Sequence, residues 1–154
     1  MMRSTEHQSL VDQLVQRGGI DGGVINDPEV FDVETPLSEV KFLQWQVFVG
    51  PSGFGGSEED GLEVAALIEH NTFVNDEPLD QLKEIGKTLP EAMFIQVPPY
   101  ERDTIWLTLM LQPDECDTSE TAALLDEFLG HAHSLYTRFG HYPNAPRIPL
   151  APSL

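Results

Sequence analysis

Residues 104–139 read "TIWLTLMLQPDECDTSETAALLDEFLGHAHSLYTRF", and this stretch decides the fold. Its first part alternates: Ile105, Leu107, Leu109 and Leu111 lie on one side of an extended chain, which predicts a half-buried strand. After Pro113 the period changes. Leu124, Leu125, Phe128, Leu129, Ala132, Leu135, Tyr136 and Phe139 repeat at three-four spacing, which predicts a long amphipathic helix ending at Gly140. Asp117 or Thr118 is placed to cap it, with Glu120 or Thr121 at the return position. A strand followed directly by a helix, with no parallel crossover signal, points towards α+β.

Working outward, "AMFIQV" at 92–97 places Met93, Ile95 and Val97 on one face. "PPYERD" joins it to 104–111 as a turn, so the two segments are expected as a hairpin. "DEPLDQLKEIGK" at 76–87 predicts a helix, with Asp76 as cap, Pro78 in the first turn and Leu79, Leu82 and Ile85 on a face. Residues 62–74 are mixed: alanine and leucine favour helix, Thr72-Phe73-Val74 favours strand, and the strand is preferred. "VKFLQWQVFVG" at 40–50 reads as one strand, with Leu43, Trp45, Val47 and Val49 on one face and Phe42, Gln44, Gln46 and Phe48 on the other. Residues 20–28 read as a loop, followed by a short strand at 29–33. At 5–17, Leu10, Val11, Leu14 and Val15 share a helical face that Gly18-Gly19 terminates.

The order is helix, two or three strands, helix, hairpin, helix. It predicts an α+β domain with an antiparallel sheet of about four to five strands and helices mainly on one face. Residues 1–140 form that single domain, and the four prolines of 141–154 predict an extended tail. A chain of 154 residues that is 40% hydrophobic suffices for one ordinary core. No apolar run reaches membrane-spanning length, and the start "MMRSTEHQSLVDQ" carries no secretory signal pattern. A lone cysteine, Cys116, fits a reducing cytoplasm.

Charge is the strongest compositional feature. Asp and Glu number 26 against 8 Lys and Arg, a formal net charge of −18. Between Lys41 and Lys83 there is no cation, only Glu58, Glu59, Asp60, Glu63, Glu69, Asp76, Glu77 and Asp80. Such a field repels nucleic acid and anionic lipid and attracts basic partners, and it also suits a saline cytoplasm.

Catalytic and cofactor motifs are not met. "GPSGFGGSEEDG" at 50–61 lacks the Gly-Lys-Ser/Thr ending of a phosphate loop, and its glycines miss the dinucleotide spacing. Carboxylates at its exit oppose phosphate. His131 and His133 point about 200° apart on a helix and cannot share a metal ion. The acidic runs fail the calcium-loop pattern, no G-x-S-x-G elbow exists, and Asp114, Glu115 and Asp117 disfavour a reactive Cys116 thiolate. No cofactor, metal or enzymatic activity is expected.

The element order, the acidity and the passage from "TIWLTLMLQP" into "LLDEFLGHAHSLYTRF" resemble the type III secretion chaperones and their YbjN-like relatives. That resemblance implies a cytoplasmic homodimer that binds an unfolded segment of a client protein. It implies client contacts on the outer side of the first helix (Leu10, Leu14) and on the second strand face (Phe42, Phe48, Trp106). Trp45, Trp106 and Phe54 are candidate aromatic anchors, with Glu58, Glu59 and Asp60 steering basic residues. The alternative is an immunity or inhibitor protein that neutralises a basic toxin or nucleic-acid-binding protein, including by DNA mimicry. Acid concentrated at 21–34, 57–63 and 114–120 favours contact through loops.

Overall fold

The computed structural model describes residues 3–25, 37–42, 45–51, 61–69, 77–97 and 104–139. The elements run α1 (Thr5–Gln16), β1 (Ile20–Ile25), β2 (Leu37–Lys41), β3 (Gln46–Pro51), β4 (Leu62–Glu69), α2 (Glu77–Gly86), β5 (Met93–Gln96), β6 (Thr104–Leu111) and α3 (Ser119–Phe139). The fold is α+β: an open antiparallel sheet of six strands in the order β1-β2-β3-β4-β6-β5, with three helices. Among the described residues no helix is long and apolar enough to cross a membrane.

Each helix is built as its sequence dictates. Ser4 caps α1, its hydroxyl accepting the His7 N–H at 3.1 Å, and His7, Leu10, Val11 and Leu14 form the buried stripe. At the other end Gly18 adopts φ 102°, which lets the N–H groups of Gly18 and Gly19 reach the carbonyls of Val15 and Leu14, both at 3.1 Å. This is a Schellman stop, and it needs glycine at that turn. On α3 the Thr118 hydroxyl accepts the Thr121 N–H at 3.2 Å, and Thr121, Leu125, Phe128, Ala132 and Leu135 are buried at alternating steps of four and three.

The central strands β4 and β6 align eight residue pairs from Leu62↔Leu111 to Glu69↔Thr104. One face carries Val40, Val47, Val49, Leu62, Val64, Ala66, Ile68, Ile105, Leu107 and Leu109, all fully buried against Leu10 and Leu14 of α1 and Phe128 of α3. Leu79, Leu82 and Ile85 of α2 join that core beside Met93 and Ile95. The opposite face holds a second, smaller cluster: Leu37, Phe48 and Leu67, with Ile25 and Trp106 packed on it.

Three sequence expectations change. Residues 40–50 are not one strand but a hairpin: Lys41 pairs with Gln46, and the Phe42 N–H donates to the Trp45 carbonyl at 3.0 Å. The sequence Phe42-Leu43-Gln44-Trp45 carries no Gly or Pro signal, so alternation alone runs through it. Residues 20–25 are a strand, not a loop. Its Asp-Gly-Gly segment forms a bulge between Asp21 and Val24, where Gly23 takes φ 88° and donates its N–H to Asp21 Oδ1 at 2.8 Å. Leu10 and Leu14 have no exposed surface, so the outer side of α1 is not apolar. The strand expected at 29–33, the cap Asp76 and the tail 141–154 lie outside the described residues.

Candidate protein-binding groove

Residues Thr5, Gln8, Ser9, Asp12, Gln13 and Gln16 give α1 a polar stripe, opposite the stripe that docks on the sheet. Beside that stripe the bulged edge strand β1 presents Asp21, Gly22, Gly23 and Val24, and Asp117 approaches from the turn before α3. Together with Arg3 and Ser4 these residues enclose a groove of about 1120 Å³. Its lining is hydroxyl, amide and carboxylate; Val24 is the one aliphatic side chain. Although the other side chains end in polar groups, the surface that the lining exposes to the groove is somewhat more apolar than polar by area.

Three carboxylates (Asp12, Asp21, Asp117) face one guanidinium (Arg3), which leaves an excess of two negative charges. Arg3 binds Asp21 through both terminal guanidinium nitrogens, at 2.7 and 2.8 Å. That hydrogen-bonded pair holds the Asp21 carboxyl at about 2, well below its ordinary 3.8, and raises Arg3. Asp12 and Asp117 have no ion pair among the described residues; Asp12 accepts from Gln8 Nε2 at 2.9 Å and Asp117 from the Ser9 hydroxyl. Beneath the groove Ser38 and His7, both fully buried, share a 2.7 Å hydrogen bond. A fully buried hydroxyl offers no surface to a substrate, so this Ser–His contact reads as packing.

The aromatic candidates part into two places. Trp45 packs on the helix side of the sheet, where Phe42, His133 and Tyr136 each lie with ring centroids 6.0 Å from it. Its indole Nε1 is buried with no hydrogen-bond partner among the described residues. Phe42 therefore does not share a face with Phe48, as unbroken alternation would require, because the turn at 42–45 returns it to the core side. Phe48 and Trp106 do meet, 5.9 Å apart on the opposite face, but Phe48 is only 2% exposed. Phe54, Glu58, Glu59 and Asp60 lie outside the described residues.

Cys116 is buried and donates weakly to the Gln112 carbonyl at 3.5 Å. Burial first, and then Asp117 and Glu6, push its thiol up to about 12. Among the described residues no three His, Cys, Asp or Glu side chains converge on a point that a metal could occupy. The sequence pattern missed Arg3, Asp12 and the groove itself. The available signal was the hydrophilic stripe of α1, whose period mirrors the apolar one.

Comparison with protein-family models, with curated proteins and with solved structures gives no match to this chain.

Proposed function

We propose that this chain is a non-enzymatic, acidic protein-binding module whose groove between α1 and β1 receives an extended basic segment of a partner protein. The observation that carries this reading is the groove's composition: a trough of polar-ended side chains with two carboxylates that no cation of the described residues pairs. A formal net charge of −18 surrounds it, which steers basic chains inwards and keeps polyanions away. The groove's side chains end in polar and charged groups, so the proposed recognition rests chiefly on charge and hydrogen bonding, with their apolar surface adding contact area. The client-binding role, the homodimer and the cytoplasmic setting belong to this proposal, and mass in solution tests the dimer.

Neutralisation of a folded basic toxin uses the same charge complementarity. A trough lined from both sides favours a strand-like segment over a flat surface. The test is titration of the full chain with a fluorescent, arginine-containing peptide of about ten residues at low and high salt. Steering and pairing between exposed charges are screened beyond about 10 Å at 0.1 M ionic strength. Binding should therefore be tight at low salt and at least about tenfold weaker at 0.5 M. Absence of binding at low salt, or affinity indifferent to salt, overturns the reading.

A further inference from the structure

Arg3 is held more completely than a helix-flanking arginine requires. Its Nη2 donates to Asp21 Oδ1 at 2.7 Å, and its Nη1 donates to Asp21 Oδ2 at 2.8 Å and Gln8 Oε1 at 3.1 Å. Its Nε donates to Ser38 Oγ at 2.7 Å. Four oxygens from α1, β1 and β2 thus converge on one guanidinium. One of them belongs to Ser38, which has no exposed surface and is fixed from behind by buried His7. This is a built guanidinium site, and Arg3, Gln8 and Asp21 all line the groove.

We propose that Arg3 is an internal occupant of the groove, an autoinhibitory contact that a partner's arginine displaces by competing for the groove-lining oxygens of Asp21 and Gln8. The inference rests on the basic-segment reading given above. It also names the partner side chain: a planar fork matches both Asp21 oxygens at once, whereas an ammonium meets them as a point charge. Loosening Arg3 without changing the net charge should therefore open the site.

The test is peptide titration of wild type, Arg3→Lys, Asp12→Asn/Asp117→Asn, and Arg3→Lys in an Asp21→Asn background, with thermal melts to verify folding. Arg3→Lys should bind the arginine peptide about two- to fivefold more tightly, the scale of one partly exposed ion pair. The same peptide with lysines should bind every variant more weakly than the arginine peptide, and Arg3→Lys should gain nothing when Asp21 is already Asn. Arg3→Gln serves as a second variant and must also bind more tightly. Equal or weaker binding by both Arg3 variants overturns the inference. If wild type binds and Asp12→Asn/Asp117→Asn weakens it, that failure leaves the basic-segment reading standing. If no folded variant binds, both fail together.

Discussion

At the scale of single residues, the Arg3–Asp21 pair shows how one contact ties three elements. Arg3 precedes α1, Asp21 lies in β1, and Ser38, which also accepts from Arg3, lies in β2. Asp21 is the group whose titration should report the clasp. Its carboxyl is held at about 2 against an ordinary 3.8, chiefly by the Arg3 hydrogen bonds. A lowered folded-state value means that the stabilisation is complete above the unfolded value and is lost as pH falls through the folded one. The stability gap between wild type and Asp21→Asn should thus stay constant down to about pH 4 and close towards about pH 2. Comparing the two proteins removes the contribution of the other carboxylates. Denaturant melts across that range measure the gap, and a gap that persists at about pH 2 contradicts the clasp. None of this was legible in the sequence, because Arg3, Asp21 and Ser38 are far apart in the chain and carry no motif.

At the scale of elements, most of the fold was legible wherever hydrophobic period and punctuation agree. The helix at 119–139, the strands at 93–96 and 104–111 and their antiparallel pairing follow from apolar spacing and from Thr118 as cap. The failures have one physical cause: turn residues and turns do not always coincide. Gly22 and Gly23 sit in a bulged strand, where Gly22 passes within a Cβ's reach of the Glu39 carbonyl and Gly23 takes φ 88°. Conversely, Phe42 and Trp45, which bracket the connection from β2 to β3, pack their rings on the core. Gly19 joins these two regions. A Cβ there would lie 2.5 Å from Val40 Cγ1 and 3.0 Å from both the Leu14 carbonyl and the Phe42 ring. Overpacking at such a site costs about 1–3 kcal/mol. Gly19→Ala should lose that much in urea unfolding and broaden the packing of Phe42. A change within about 0.5 kcal/mol would show that α1 and the β2–β3 turn are not closely docked there.

At the scale of the whole molecule, the fold divides labour between two sides of α1. Its apolar stripe closes the core over the sheet, and its hydrophilic stripe, set beside the bulged edge of β1, makes the groove. The acidic character was legible from composition, and so was the concentration of acid near 21 and 117. Which carboxylates converge was not, since Asp12, Asp21 and Asp117 meet only through tertiary packing. Of the aromatic candidates among the described residues, Trp45 sits in a ring cluster on α3, Phe48 is closed to solvent, and Trp106 is half-buried beside Phe48 on the opposite sheet face. The proposed binding role is placed on the polar side of α1. The most direct measurement is a nuclear magnetic resonance titration of the isotopically labelled chain with an unlabelled arginine-containing peptide. The side-chain amides of Gln8, Gln13 and Gln16, which line the groove, should shift progressively and saturate together, while that of Gln81, beside Arg138 in the separate α2–α3 cleft, stays still. Saturable shifts at Gln81 with none at Gln8, Gln13 and Gln16 would contradict the account.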